Sequence, residues 1–213
     1  MKRMKEGWIT VFKTSKKLKT FQTKHPTIEI VKLFPEQGEW TETDYFNLPE
    51  TNHFVELSDG KLEIPDMPGT THQKVVFKLA KIIDEFVSKN SLGEIGLAPL
   101  PTRLWERKVR EPDIIFMSSA HTDRINEDFW GVPDLVVEVL SKSNIHIDRN
   151  KKNIEYAKAG IPEYWIVDTI QKIVEVFALD RDTYLLFGKW GMGEIIHSKI
   201  LADFEINMDS IFN

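Results

Sequence analysis

None of the 213 residues is cysteine. That excludes a disulfide framework, cysteine-ligated zinc, iron–sulfur clusters and a thiol nucleophile, and it fits a reducing cytoplasm. No apolar run approaches the roughly 20 residues that span a bilayer. The stretch Trp8–Phe12 is too short for a signal-peptide core, so a cytoplasmic chain without a membrane segment is expected. Several chemistries lack their motif. There is no G-x-x-x-x-G-K-[ST] loop, no G-x-G-x-x-G after a strand, no G-x-S-x-G elbow and no H-E-x-x-H. The six histidines show no paired ligand spacing, which disfavours zinc. Internal repeats, low-complexity tracts and linkers after residue 40 are missing too. With 41% hydrophobic and 29% charged residues, the composition is that of a globular protein, not of a disordered or fibrous one.

Charge is unevenly spread. Residues 1–24 hold eight Lys/Arg against Glu6, about +7, so the rest carries about −12 to reach the net −5. A globally basic nucleic-acid binder is not indicated. Residues 1–40 read as a basic N-terminal extension, either a solubilising tail or an arm for phosphates, and 41–213 as one domain. Residues 28–34 read as a short strand or a helical turn.

From residue 40 the pattern sharpens. Thr41 caps a short helix, Thr43–Asn47. Phe54–Leu57 and Lys61–Ile64 flank Ser58-Asp59-Gly60, a hairpin signature. Thr71 is a cap for a helix to about Lys89, whose Val75, Val76, Leu79, Ile82, Ile83, Phe86 and Val87 share one face. Strands are expected over roughly 96–105, 113–117 and 134–140; the last is apolar on both faces, as in a central, doubly covered strand. A helix over 148–159 ends at Gly160. Strands 164–167, 173–178 and 184–188 and a terminal segment follow. The expectation is an α/β fold with a mixed central sheet, an N-terminal β-hairpin and additional C-terminal strands.

Carboxylates on or beside apolar strands carry the chemistry. Glu138 lies inside Val136-Val137-Glu138-Val139-Leu140, where a charge is costly unless paired, protonated or metal-bound. A structural ion pair is the plain alternative. Asp113 and Asp134 each follow a proline, and each is a turn residue or a site residue. Asp134 shares a strand face with Glu138 but sits about 13 Å away at ~3.3 Å per residue, too far to share a metal ion. Asp148, Lys152 and Tyr156 form one helical stripe. It is either an ordinary solvated ion pair or a way for Lys152 to reach the preceding strand. Two carboxylates with a divalent cation and a nearby lysine suit phosphodiester hydrolysis, and oxygen ligands suit Mg2+ or Mn2+.

The local text resembles a known family. Phe54-Val55-Glu56-Leu57-Ser58-Asp59-Gly60-Lys61-Leu62, Thr71-His72-Gln73, Glu111-Pro112-Asp113-Ile114, Pro133 to Ser141, the stripe Asp148, Lys152 and Tyr156, and Ala159 to Asp168 resemble, in order, the Uma-two family of restriction-endonuclease-like proteins. The succession of elements resembles the αβββαβ core of the PD-(D/E)XK nuclease superfamily. The resemblance covers roughly residues 40–205. It implies a metal-dependent endonuclease, with DNA as the expected substrate and Asp113 and Glu138 as metal-binding acids. The superfamily's lysine normally lies two residues after the second acid. Here that position is Leu140, so Lys152 is the implied substitute, with Lys142 the weaker candidate. A further acid often comes from the first core helix; His72 there, or Glu56 on the hairpin, would complete the site. With an acidic body, nucleic-acid contact is expected to rest on Lys142, Arg149, Lys151 and the N-terminal arm. A homodimer is plausible by the same resemblance. The rival expectation is an inactive nuclease-fold module that binds nucleic acid or a protein. A glycosidase carboxylate pair is a weaker third.

Overall fold

Thr41 and Asp44 close a capping box that starts helix α1, Glu42–Phe46. The computed structural model describes residues 34–49, 53–141 and 147–213. Residues 1–33 of the extension expected over 1–40, residues 28–33 of the strand or turn expected over 28–34, and Lys142 lie outside them.

Strands β1 (Glu56–Ser58) and β2 (Lys61–Glu63) form the expected hairpin. Its central residues Asp59 and Gly60 have φ of 52° and 80°, the pair of positive values a two-residue turn requires. A Cβ at Gly60 would come within 2.4 Å of the Gly38 carbonyl oxygen.

Helix α2 runs from Thr70 to Lys89. Gly69, not Thr71, is its N-cap, because the Gly69 carbonyl already accepts from the Gln73 N–H. The strand expected over 96–105 is two: β3 (Gly93–Leu97) and β4 (Thr102–Trp105). Pro99 and Pro101 between them offer no N–H to a ladder. They divide the segment between two sheets. Strand β5 (Lys108–Arg110) was not anticipated. Strands β6 (Ile114–Ser118) and β7 (Leu135–Val139) follow.

The next helix begins as a wide π-type turn, Ile147–Lys152, and becomes α-helical as α3, Asn153–Ala159. Gly160 ends it at φ 82°. Strands β8 (Glu163–Asp168), β9 (Ile173–Asp180) and β10 (Thr183–Trp190) complete the large sheet. A two-stranded pair, β11 (Ile195–His197) and β12 (Glu205–Asn207), and helix α4 (Met208–Phe212) make up the terminal segment.

The central sheet has the order β10-β9-β8-β7-β6-β3. Only β7 and β8 are parallel, joined by the crossover that carries α3. The sheet is therefore mixed, and α2, β3, β6, β7, α3 and β8 supply the αβββαβ succession. A second sheet, β2-β1-β5-β4, holds the hairpin.

Alternation along β7 explains its doubly apolar text. Leu135, Val137 and Val139 pack with Val75, Leu79, Ile83 and Val87 of α2 in one core. Val136 and Leu140 pack with Tyr156, Tyr164 and Ile166 in another. Each fully buried aliphatic side chain is worth roughly 1.5–3 kcal/mol. Glu138, by its period-two position, falls on the second face.

Candidate active site

The register of β6 on β7 pairs Ile114 with Val137. One step further, Asp113 comes beside Glu138 at the end of the two strands. Asp113 Oδ2 accepts from the Val139 N–H at 2.8 Å and lies 3.1 Å from His72 Nε2, in the first turn of α2. His72 is buried, and its Nδ1 has no hydrogen-bond partner among the described residues.

Glu138 Oε1 accepts from Lys152 Nζ at 2.7 Å and from the Tyr156 hydroxyl at 2.6 Å. Lys152 also lies 3.3 Å from Asp148 Oδ1 and 3.7 Å from Glu56 Oε1. The contact to Asp148 is an ion pair without hydrogen-bond alignment, and Asp148 Oδ1 is a buried atom with no hydrogen-bond partner. Lysine thus reaches the second acid from the crossover. The usual strand position is filled by Leu140, 4% exposed inside the apolar face.

These groups line a narrow cleft of about 40 Å³, with Glu111, Asp66, Phe54 and Pro68 completing its wall. That is room for about one water or one small ion. Six carboxylates (Glu56, Asp66, Glu111, Asp113, Glu138, Asp148) face it against one lysine. The shortage of positive charge shows in the titration of its members. Burial, with Asp148 and Asp113 nearby, pushes Glu138 up to about 8, although Lys152 opposes it. Burial and neighbouring acids raise Asp148 too. Glu111 is pushed up to about 7 by burial and by Glu56. Glu56 alone goes down: burial raises it, but Lys152 and Arg110 outweigh that. The same acids hold Lys152 well above its ordinary value.

Among the described residues, no three His, Asp or Glu side chains are already gathered around a metal position. The donor chemistry nonetheless fits a hard divalent cation. Mg2+ is commonly held by one or two carboxylates, with water and substrate phosphate supplying the rest. Asp113 and Glu138 would hold such a cation; their protein contacts converge on Oδ2 and Oε1, which leaves each carboxylate with a second oxygen.

The other sequence candidates fall elsewhere. Asp134 sits at the opposite end of β7, where it accepts from the Ser118 N–H at 2.7 Å and meets His121 Nδ1 at 2.8 Å. It anchors a loop and does not line the cleft. Arg149 pairs with Glu175, and Lys151 with Glu63, so both charges already have acidic partners.

Sequence reading missed the support beneath the cleft. Arg110, fully buried, binds Glu56 and Glu63 at 2.7 Å each and Glu155 through two nitrogens. Lys108 binds Ser58, Asp59 and Glu155. Lys108-Val109-Arg110 alternates charge and apolarity with period two, the one signal that β5 has a charged buried face.

The model of a family described as "Putative restriction endonuclease", Uma2, matches residues 42–209. The chain belongs to the Uma2 family. The Uma2 match spans everything from α1 to the start of α4, cleft included. A crystal structure described as a "putative nuclease belonging to DUF820", from Anabaena variabilis ATCC 29413, superposes with a TM-score of 0.67 at 19% identity. The superposition covers 81% of this chain and 97% of that one. At that identity it establishes a shared restriction-endonuclease-like fold. No curated protein matches the chain. Among the described residues, no helix is long and apolar enough to cross a membrane.

Proposed function

We propose that this Uma2 protein is a metal-dependent endonuclease that hydrolyses phosphodiester bonds, with DNA as its substrate and Mg2+ or Mn2+ as its cofactor. The observation that carries the reading is the placement of Lys152 2.7 Å from Glu138 in a cleft whose carboxylates outnumber their cations. A purely structural ion pair would be balanced. Here Glu138 and Asp148 share one lysine with Glu56, and the cleft attracts positive charge.

Each residue then has a physical role. Asp113, fixed by His72 and the Val139 N–H, and Glu138, fixed by Lys152 and Tyr156, would hold the cation. A bound divalent ion offsets charge on the phosphate and lowers the pKa of a water. Lys152 keeps a positive charge at the cleft floor, where charge accumulates on the phosphoryl oxygens during displacement. Glu111, titrating near neutrality on the same wall, can take up the proton that the attacking water loses.

The test combines calorimetry and cleavage. Mn2+ titrated into wild type should bind, and a supercoiled plasmid should be nicked in its presence. Glu138→Gln should lose both, whereas Lys152→Met should lose nicking by at least 100-fold. If wild type neither binds Mn2+ nor nicks, or if Glu138→Gln nicks like wild type, the reading fails.

A further inference from the structure

The cleft is acidic, so it does not by itself draw in a polyanion. A second concavity at the same end of the molecule has the opposite character. A groove of about 730 Å³ runs between the first turns of α2, the β8–β9 loop and the residues of α4. Lys74, Lys78 and Lys172 line it among Thr, Gln and apolar side chains such as Ile211 and Phe212; no Asp or Glu side chain does, and the Asn213 main-chain oxygen is an acceptor within it. In a chain with 33 acids against 28 Lys and Arg, such a lining is notable for its sign. Among the described residues, neither Lys74 nor Lys172 has an acidic partner; Lys78 donates to the main-chain oxygen of Asn213.

Position ties the groove to the cleft. Thr71 and Gln73 line the groove, and His72 between them lines the cleft and contacts Asp113. Parallel β7 and β8 end side by side, so the loop holding Thr169 and Lys172 lies at the sheet end that bears Val139 and the two acids. Lys74 and Lys78 are one helical turn apart, roughly 6 Å along the axis. Between them Phe77 presents its ring to solvent, 70% exposed.

We propose that this groove binds a single-stranded segment of nucleic acid adjoining the scissile phosphate, with Lys74 and Lys172 on its phosphates and Phe77 stacked on an unpaired base. The proposal rests on the nuclease reading only for the substrate's arrival at the cleft. Charge selects a polyanion, and an exposed aromatic ring flanked by lysines selects unpaired bases, whose faces a duplex hides.

Fluorescence anisotropy on the full chain tests it, with a labelled 20-nucleotide single strand and the matching duplex, in EDTA so that no cleavage occurs. Wild type should bind the single strand more tightly than the duplex, with an affinity that falls steeply with salt. Lys74→Glu combined with Lys172→Glu should weaken binding at least tenfold, and Phe77→Ala about tenfold for the single strand only. Lys81→Glu, on the same helix but outside the groove and already paired with Glu85, should leave binding unchanged. All four positions are exposed or edge the groove, and unchanged thermal melts would show that the variants fold. Wild-type affinity in the double charge reversal overturns the groove. Equal duplex binding, or indifference to Phe77→Ala, overturns the single-strand assignment. Because binding is read without metal, loss of plasmid nicking with binding intact would sink the nuclease reading and leave this one standing.

Discussion

Glu138→Gln separates a structural carboxylate from one held at a cost to the fold. In the folded chain Glu138 titrates at about 8, raised above an ordinary value of 4.5 by burial and by Asp148 and Asp113. Between those two pH values the folded state keeps a proton that the unfolded state releases. Stability is therefore fully present below pH 4.5 and falls as pH rises toward 8, at about 1.4 kcal/mol per unit. By pH 7 the accumulated loss is about 3 kcal/mol. Gln cannot ionise, yet its Oε1 can accept from Lys152 and Tyr156, whose donors sit 2.7 and 2.6 Å away. Allowing about 1 kcal/mol for altered hydrogen bonds leaves a net gain of about 2 kcal/mol. For a chain of this size that raises Tm by about 4–8 °C. Thermal melts in EDTA at pH 4.5, 7 and 8.5 measure it. The variant should fall about 1 kcal/mol short of wild type at the lowest pH, where only the altered hydrogen bonds count, and overtake it as pH rises. With Mn2+ at about 100 times its Kd, wild type should recover about 2.7 kcal/mol and the variant little. If the variant is the less stable protein at pH 8.5 in EDTA, Glu138 is an ionised structural partner of Lys152, and the argument from charge shortage collapses.

Two further outcomes follow from the support beneath the cleft and from the displaced lysine. Arg110→Met should cost about 3–5 kcal/mol in urea unfolding, because Glu56, Glu63 and Glu155 lose a buried cation together. Arg110→Lys should recover only part, since one ammonium cannot reproduce the forked contacts. Leu140→Lys, made in a Lys152→Met background, should fail to restore nicking and should lower the urea midpoint further. The new ammonium would enter an apolar cluster with Tyr156, Tyr164 and Ile166, a placement that costs several kcal/mol.

The sequence made the central strand legible because alternation and burial agree there: every residue of Leu135–Val139 is buried. Asp113, Glu138, Lys152, Tyr156, Asp148, His72 and Glu56 were each visible as candidates, and the fold brings all seven to one cleft or its edge. Asp134 was equally visible and falls at the far end of the same strand, since period two fixes a face but not an end. The segment 96–105 misread as one strand because hydropathy does not register the ladder donors that Pro99 and Pro101 lack. Arg110 escaped notice because its partners, Glu56, Glu63 and Glu155, are 45 to 54 residues distant in sequence. Only tertiary pairing turns such a residue into a buried hub. Lys151 and Arg149 looked available on a helix and are not, for the same reason.

Lys152 on the crossover, instead of on β7, makes the site's assembly a separate thermodynamic event from that of the sheet. Asp113 and Glu138 are set by strand register, which the hydrogen-bonded ladder enforces. The ammonium arrives only when the segment leading into α3 docks, a contact that native proteins can open locally at a cost below global unfolding. A molecule with that segment lifted keeps its acids in register and its hydrophobic sheet intact, but has no ammonium beside Glu138. Hydrogen exchange at the amides of 153–159 would therefore report the fraction of folded molecules in which Lys152 is docked.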